Sequence, residues 1–387
     1  MAPKSSMVSG GKLPRADREF PDINTLKQAI PKHCFQPPAL RSMWYLVRDV
    51  IMALSLGWAA VRFIPEIPSP AGRAAAWIIY GFVQGLVCTG IWILGHEGGH
   101  GAFSMYPKLN DAVGFFAHSV LLVPYFSWKF SHHRHHRYTG HMEKDMVFVP
   151  RTRTEYLKSK FRVEYLEDTP AYQAIKLLFH QTLGWGSYLF INSTAGPDSL
   201  QRPSKSLFDL SHFDPTSAVF RRSEGPYILL SDLGIAMTFG ALYILSRYVG
   251  TSTTVLLYAQ AYFWVHHWLV AITYLHHTHV EVPHYDRENW TYVKGALATV
   301  DREFGFVGRH LFHGIIEHHV IHHLFPRIPF YYAEEATDAI KPILGDLYYR
   351  DDRNFLGQLW SNFTSLKFVE PDMSASPGVL KWATKTD

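Results

Sequence analysis

Three short histidine clusters are the residues of this chain whose types and spacing could do chemistry. In the first, residues 96–100 read HEGGH, and histidines at positions i and i+4 share one face of a helix. The second cluster (132–136) and the third (319–323) place histidines at i, i+3 and i+4. Both imidazoles of the first cluster can therefore reach one metal ion, and the spaced histidines of each of the other two clusters share one helix face. The histidines with this spacing are His96 and His100; His132, His135 and His136; and His319, His322 and His323.

The number of these histidines favours two metal ions over one. A zinc ion takes three or four protein ligands, whereas the clusters supply eight imidazoles. Imidazole binds Fe, Zn, Cu and Ni alike, so the ligands do not select the metal. Read alone, the first cluster is also the HExxH pattern of zinc peptidases, with Glu97 as general base, but the other two clusters then have no role. A non-catalytic membrane protein that binds lipid or stores metal is a third interpretation.

The composition excludes several classes of protein. The chain has 387 residues and a net charge of +4 without a block of Lys and Arg, which suits an anionic membrane surface better than a nucleic-acid groove. Two cysteines, Cys34 and Cys88, exclude a disulfide framework and a four-cysteine metal site. The first 20 residues are polar and basic, so we expect no cleavable signal peptide, and internal segments would direct membrane insertion.

Four apolar segments are long enough to position these clusters at a membrane. A bilayer crossing needs about 20 apolar residues, and the segments that meet this length are 44–64, 74–95, 227–249 and 254–275. A shorter segment, 113–126, is predicted to be re-entrant or interfacial. Buried helices of a large soluble protein are the alternative, but four such segments are harder to explain that way. The sequence predicts an all-α integral membrane protein with four transmembrane helices.

The polar regions are predicted to lie on one side of the membrane. Four crossings in two hairpins place all of them on the same face, and their Lys and Arg make that face the cytosol. We expect a cytosolic N-terminal segment (1–40), a membrane domain (41–350) and a cytosolic C-terminal tail (351–387). A cytosolic helical cap (96–226 and 276–350) would hold the histidine clusters at the bilayer surface, where a metal site suits oxidation of a lipid chain.

Several motifs around the clusters resemble those of the membrane fatty acyl desaturases. They are HEGGHGAFS (96–104), SWKFSH (127–132), ITYL (272–275), PHYD (283–286), GALATVDR (295–302) and HHLF (322–325). The delta-12 (oleate) branch is the most similar, and AIPKHCF (29–35) and HLFHGIIE (310–317) resemble its fungal members. The resemblance covers roughly residues 20 to 370.

This resemblance implies a non-haem di-iron centre that uses O2 to introduce a cis double bond into a phospholipid- or CoA-linked acyl chain, with oleoyl to linoleoyl as the expected reaction. It implies that the eight cluster histidines hold the two iron ions and makes His277 and His313 candidate extra ligands. We expect His133, His276 and His279 at the surface or beside the ligands. The sequence has no flavin, nicotinamide or haem-binding fingerprint, so the expected electron source is an external cytochrome b5 with its NADH-dependent reductase, at the endoplasmic reticulum membrane.

Four residues beside the clusters bear on the outcome of the reaction: Gly95, Glu97, Gly98 and His318. Gly98 stands where the branch usually has Cys, and His318 where Thr is usual. Gly95 resembles divergent relatives, whereas ordinary desaturases often have Ala there. Because residues beside metal ligands alter reactivity, an acyl hydroxylase, acetylenase or conjugase is the nearer alternative to simple desaturation.

Overall fold

The computed structural model describes residues 15–159, 166–167 and 169–383, which fold mostly into helices. The first 14 residues of the predicted N-terminal segment and the last four of the predicted tail lie outside the described residues. The α-helices are α1 (Ile23–Ala29), α2 (Ala39–Phe63), α3 (Pro70–His100), α4 (Pro107–Ser119), α5 (Tyr125–Tyr138), α6 (Arg153–Leu157), α7 (Pro170–Ile191), α8 (Gly225–Val249), α9 (Thr251–His277), α10 (Tyr292–Ala296), α11 (His319–Leu324), α12 (Phe330–Leu344) and α13 (Phe355–Ser365). The strands are β1 (His284–Tyr285), β2 (Asp301–Arg302), β3 (Arg350–Asp351), β4 (Val369–Pro371) and β5 (Val379–Trp382).

Three of the described helices are long and apolar enough to cross a membrane. They are α3, α9 and the segment Arg222–Val249, which contains α8. These helices contain the predicted segments 74–95, 254–275 and 227–249. Most of the surface of α8 is apolar and exposed, as expected for a helix that faces lipid.

The other two predicted apolar segments have different structures. The segment 44–64 lies almost wholly in α2, which is 25 residues long but carries Arg48 and Asp49 in its first half and is not among the three apolar helices. The segment 113–126 is divided between α4 and α5 by the turn at residues 120–124. Both α4 and α5 pack against α3.

Local sequence explains where α3 begins and ends. The Ser69 side chain accepts a hydrogen bond from the N–H of Gly72 at 3.3 Å, and Pro70 occupies the first helical position, where its missing N–H is not needed. The helix ends at Gly101, whose φ of +74° lies in the left-handed region that glycine favours. Gly101 is thus the residue that caps α3, and His100 is the last residue of the helix itself.

Helices α8 and α9 form a hairpin that brings a second helix end to the same place. Gly250, with a φ of +86°, separates the two helices. Helix α9 packs along α3, and it ends at His277 close to the end of α3. The C-terminal ends of α3 and α9 therefore lie together, and α5 approaches them from the side.

The region after α9 contains short strands that the all-α prediction did not include. Strand β5 pairs antiparallel with both β1 and β4, and β2 pairs parallel with β3. Strands β4 and β5 belong to the predicted tail (351–387), so up to residue 383 this segment folds back onto the residues that follow α9. The side chain of Asn362 in α13 also donates a hydrogen bond to the Thr278 carbonyl at 2.7 Å.

Candidate metal centre

The first cluster forms the last turn of α3. His96 and His100 are buried there with their ring centroids 4.6 Å apart. Glu97 lies between them in sequence, but its Oε2 accepts a hydrogen bond of 3.1 Å from the backbone N–H of Phe330, the first residue of α12. The Glu97 carboxylate therefore satisfies an open N–H at the start of a helix, which is not the role of a peptidase general base.

Glycines beside this cluster allow neighbouring helices to approach α3 closely. A Cβ at Gly95 would lie 2.5 Å from Cδ2 of His118, and a Cβ at Gly98 would lie 2.7 Å from the carbonyl oxygen of Asn110. Both distances are shorter than real Cβ contacts, so a side chain at either position requires α4 to move. The two departures from the family pattern thus have a packing role in this chain.

The second cluster lies on α5, facing the first. The Nε2 atom of His132 is 3.0 Å from Nε2 of His96 and 3.1 Å from Nε2 of His136. The ring of His135 lies beside those of His132 and His136, with centroids 5.7 Å from each, and its Nδ1 is 2.7 Å from Oδ1 of the buried Asp145. A carboxylate in this position holds the imidazole with Nε2 directed inward, as in many metal sites.

The third cluster forms the short helix α11. Its start is held by the buried Asp301, which accepts a hydrogen bond of 2.7 Å from the N–H of Val320. Thr139, at the end of α5, donates to the His135 carbonyl, and its Oγ1 lies 3.1 Å from Nδ1 of His323. These contacts connect α11 to α5. The histidines of this cluster, all buried, are His319, His322 and His323.

The three clusters converge into two groups of imidazoles. Within each group, one ligand atom from every member lies within 4.8 Å of the others. The five-histidine group consists of His96, His100, His132, His136 and His322. The three-histidine group consists of His135, His277 and His323. His319 adjoins the three-histidine group, because its Nε2 is 3.0 Å from Nε2 of His323. Each of the two groups could hold a metal ion.

The two candidate extra ligands have different surroundings. His277, the last residue of α9, belongs to the three-histidine group. His313 lies outside both groups, and its Nε2 is 2.7 Å from Oδ2 of the buried Asp49. His318 precedes α11 and lines a separate polar cavity together with His313 and Glu317.

The remaining histidines near the clusters make hydrogen bonds with other partners. Two of those expected at the surface or beside the ligands, His276 and His279, are buried. His276 Nε2 is 3.0 Å from the Ile316 carbonyl oxygen, and His279 Nε2 is 3.1 Å from Oδ2 of Asp351. His133 is exposed beside the first cluster, with Nε2 2.8 Å from the Gly99 carbonyl oxygen.

The protonation and contacts of these imidazoles fit metal binding. Burial, and then the neighbouring histidines, lower the pKa values of five of these imidazoles well below the ordinary value of 6.5, so these five rings are neutral and carry a free lone pair. They are His132, His136, His319, His322 and His323. Among the described residues, the buried Nε2 atoms of His100 and His322 have no hydrogen-bond partner. An all-imidazole set divided into two groups is compatible with a di-iron centre.

A narrow apolar cavity runs beside both groups. His96 and His132 of the five-histidine group line it, and so do His135, His277 and His323 of the three-histidine group. Much of the remaining wall consists of Trp92, Trp128, Trp185, Leu269, Ile272 and Thr273. An apolar chain in this cavity would contact both groups along its length.

The spacing patterns missed the residues that orient the ligands. Asp145, Thr139 and Asp301 act on the clusters through tertiary contacts, and their distances along the chain from the histidines follow no periodic rule. The only sequence signal for Asp145 is an acidic residue shortly after the second cluster, next to an apolar run at 146–149.

The described residues form a buried centre of two histidine groups beside an apolar cavity, and three helices are apolar enough to cross a membrane. These features are those expected of a membrane oxidoreductase that acts on apolar chains. Residues 72–353 match the fatty acid desaturase family. This chain belongs to that family.

Characterised relatives include both desaturases and a hydroxylase. An oleate hydroxylase of Claviceps purpurea is 44% identical in an alignment 372 positions long, which covers 91% of this chain and 78% of the relative. A delta(12) fatty acid desaturase of Calendula officinalis is 40% identical, with 94% of this chain and 93% of the relative covered. The endoplasmic reticulum omega-6 fatty acid desaturase of Brassica juncea is 40% identical, with 98% and 96% covered.

Proposed function

We propose that this protein is an O2-dependent desaturase that converts oleoyl chains to linoleoyl chains by forming a cis double bond at the delta-12 position. One observation carries the proposal: a narrow apolar cavity is lined by members of both histidine groups. The apolar wall of this cavity suits the methylene groups of a fatty acyl chain. The delta-12 position rests on the similarity to the Calendula and Brassica desaturases.

The two histidine groups would hold two iron ions. The five-histidine group would bind one ion, and the three-histidine group together with His319 would bind the other. His313 is the weaker candidate ligand, because its Nε2 already lies 2.7 Å from a carboxylate oxygen of Asp49. Iron bound there supplies, with O2, the oxidising power needed to remove hydrogen from adjacent methylene groups, a reaction that no side chain can drive.

The residues of this chain contribute orientation and the exclusion of water. The Asp145 carboxylate and the Thr139 hydroxyl each contact the Nδ1 atom of one ligand, which leaves its Nε2 for the metal. The indole rings of Trp92, Trp128 and Trp185 line the cavity and exclude water from the reacting carbons.

The electrons, the substrate carrier and the membrane arrangement are part of the same proposal. We expect cytochrome b5 and its NADH-dependent reductase to supply two electrons, and a membrane lipid, phospholipid- or CoA-linked, to carry the acyl chain. The proposed location is the endoplasmic reticulum membrane, as the name of the Brassica relative states for that protein. Three apolar helices support membrane insertion, and α2 would be the fourth crossing.

The domain organisation follows from this topology. A cytosolic segment (1–40) would precede a membrane domain (41–350) with its cytosolic cap (96–226 and 276–350), and a cytosolic tail (351–387) would follow. Both termini and the metal centre would face the cytosol, where cytochrome b5 can dock. A glycan on the sequon at residues 192–194 in an intact cell would contradict this orientation, because glycosylation takes place in the lumen.

A hydroxylase is the second candidate function, and the 44% identity to the Claviceps oleate hydroxylase favours it. Acetylenase and conjugase activities are related alternatives at the same centre. Expression in a yeast that lacks polyunsaturated fatty acids, followed by acyl-chain analysis, separates these reactions. We expect linoleate as the main new product. A hydroxylated, acetylenic or conjugated product without linoleate would contradict the desaturase proposal.

A matched pair of variants connects that product to the metal centre. His322→Ala removes a ligand with an open Nε2, and we expect loss of iron and of the new product. His310→Ala changes an exposed histidine outside both groups and should leave iron content and product unchanged. Metal analysis of the pure protein should find about two irons per chain, whereas one zinc and no iron would support the peptidase interpretation.

A further inference from the structure

A separate set of metal-ligating side chains lies where the N-terminal segment meets α12. His33 and Cys34 belong to the short helical turn Lys32–Phe35, and Glu335 lies in the second turn of α12. One ligand atom from each of the three, an imidazole nitrogen, the thiol sulfur and a carboxylate oxygen, lies within 4.8 Å of the other two. Nε2 of His33 is 2.9 Å from Oε2 of Glu335.

We propose that His33, Cys34 and Glu335 form an additional metal site that binds one zinc ion and fastens the N-terminal segment to α12. Thiolate, imidazole and carboxylate are the three ligand types that zinc takes in proteins, and three protein ligands leave its fourth position for water. The thiol sulfur distinguishes this site chemically from the two histidine groups, whose ligand atoms are all imidazole nitrogens. The site is independent of the proposed desaturase function.

The surroundings hold the ligands in place and leave the site accessible. Cys34 is buried among apolar side chains of the N-terminal segment and of α12, including Leu26 of α1 and Ile340 of α12. The His33 ring packs edge-on against Tyr332, with centroids 5.1 Å apart. The side chains of His33 and Glu335 are 53% and 47% exposed, so an ion can reach the site from solvent.

Binding has a proton cost at Cys34. Burial, and then the Glu335 carboxylate, raise the pKa of the Cys34 thiol to about 11, so zinc must displace the thiol proton to solvent as the Zn–S bond forms. Zinc also brings two positive charges to a site where the Glu335 carboxylate and the thiolate supply two negative charges. The site is therefore neutral once the ion is bound.

The position of the site on α12 connects it to the first histidine cluster. Phe330 is the first residue of α12, and its N–H donates a hydrogen bond to the side chain of Glu97. Glu335 lies five residues later on the same helix. A zinc ion at this point would stabilise the attachment of the N-terminal segment to a helix that contacts α3. We expect zinc to raise the thermal unfolding temperature of the wild-type protein.

Zinc binding can be measured on the full-length, iron-loaded protein in detergent. The protein is dialysed against micromolar zinc sulfate, and zinc and iron per chain are then counted by mass spectrometry. We expect one zinc in addition to the iron of the untreated protein. X-ray absorption at the zinc edge should show one sulfur at about 2.3 Å. Zinc that had replaced iron in the histidine groups would show nitrogen neighbours without sulfur.

Variants assign the zinc to these residues. Cys34→Ser should abolish the sulfur signal, and Glu335→Gln should weaken zinc binding at least about tenfold, since changes around metal sites cost 10- to 100-fold in affinity. Glu334→Gln alters the neighbouring exposed carboxylate on the same helix and should bind zinc like the wild type. Iron content and the acyl product should be unchanged in all three variants.

Two results would overturn the proposal. One is a wild-type protein that takes up no more zinc than Glu335→Gln, and the other is a bound zinc without a sulfur neighbour. If Cys34→Ser does not fold, the comparison of Glu335→Gln with Glu334→Gln decides, because both side chains are exposed. Loss of the zinc site with normal iron and normal product would leave the desaturase proposal intact.

Discussion

Replacing Asp145 with Asn tests whether a buried carboxylate tunes one of the two metal positions. Oδ1 of Asp145 is 2.7 Å from Nδ1 of His135 and accepts backbone hydrogen bonds from Val147 at 2.9 Å and Phe148 at 3.2 Å. Its Oδ2 accepts the N–H of Gly140 at 3.3 Å. Asparagine has nearly the same shape and keeps a carbonyl oxygen for the donors at Oδ1, whereas its NH2 group replaces the oxygen that accepts the N–H of Gly140. The substitution therefore removes the negative charge and the longest of these hydrogen bonds.

The size of the effect follows from the hydrogen bond to His135. A hydrogen bond to a charged group contributes about 1.5–3 kcal/mol, and one between neutral groups about 0.5–1.5 kcal/mol. The difference of about 1–2 kcal/mol corresponds to metal binding that is about 5- to 30-fold weaker. The loss should be confined to the three-histidine group, because His135, the histidine to which Asp145 is hydrogen-bonded, belongs to that group.

The assay is a titration of iron on the purified full-length protein against a competing chelator. We expect one iron to bind with the wild-type affinity and the other to bind about 5- to 30-fold more weakly. Product formation should fall in parallel. Glu143→Gln is the matched control, because Glu143 lies two residues away and pairs with Arg287 at the surface. Wild-type affinity for both irons in Asp145→Asn, or an equal loss in the control, would refute the reasoning.

Three further experiments with substituted proteins test packing, the cavity and the peptidase interpretation. Gly98→Ala should lower stability by about 1–3 kcal/mol through overpacking, whereas Gly240→Ala, with nothing within 4 Å of its added Cβ, should be neutral or stabilising in thermal unfolding. Thr273→Trp should fill the cavity and abolish the acyl product while the iron content stays normal. Glu97→Gln should retain the product, because its amide oxygen can still accept the Phe330 N–H, whereas Glu97→Ala should cost about 1–3 kcal/mol in stability. Loss of product from stable, iron-loaded Glu97→Gln would contradict this role.

The sequence by itself predicted the parts of this protein that depend on local periodicity. The spacing of the eight cluster histidines places each set on one helix face, because an α-helix repeats every 3.6 residues wherever it lies. The same holds for the three longest apolar segments, since hydrophobicity over about 20 residues is a property of the chain alone. The resemblance of the flanking motifs correctly identified the family.

Other features depend on which elements meet in space. The short strands of the C-terminal segment were missed because two-, three- and four-residue strands carry too little pattern and are stabilised by their partners. Glu97 was singled out as a possible base, yet its hydrogen-bond partner begins a helix more than two hundred residues away. No local pattern encodes such a pairing.

Tertiary structure also decided how the histidines are divided. His277 and His313 were equivalent candidates in the sequence, but α9 packs along α3 and brings His277 beside His135 and His323, whereas Asp49 of α2 holds His313 elsewhere. The second and third clusters each contribute to both groups, because consecutive histidines on one helix point to slightly different sides. The spacing in the sequence determined that the histidines of each cluster can act together as metal ligands. The packing of α3, α5, α9 and α11 determined which histidines can bind the same metal ion.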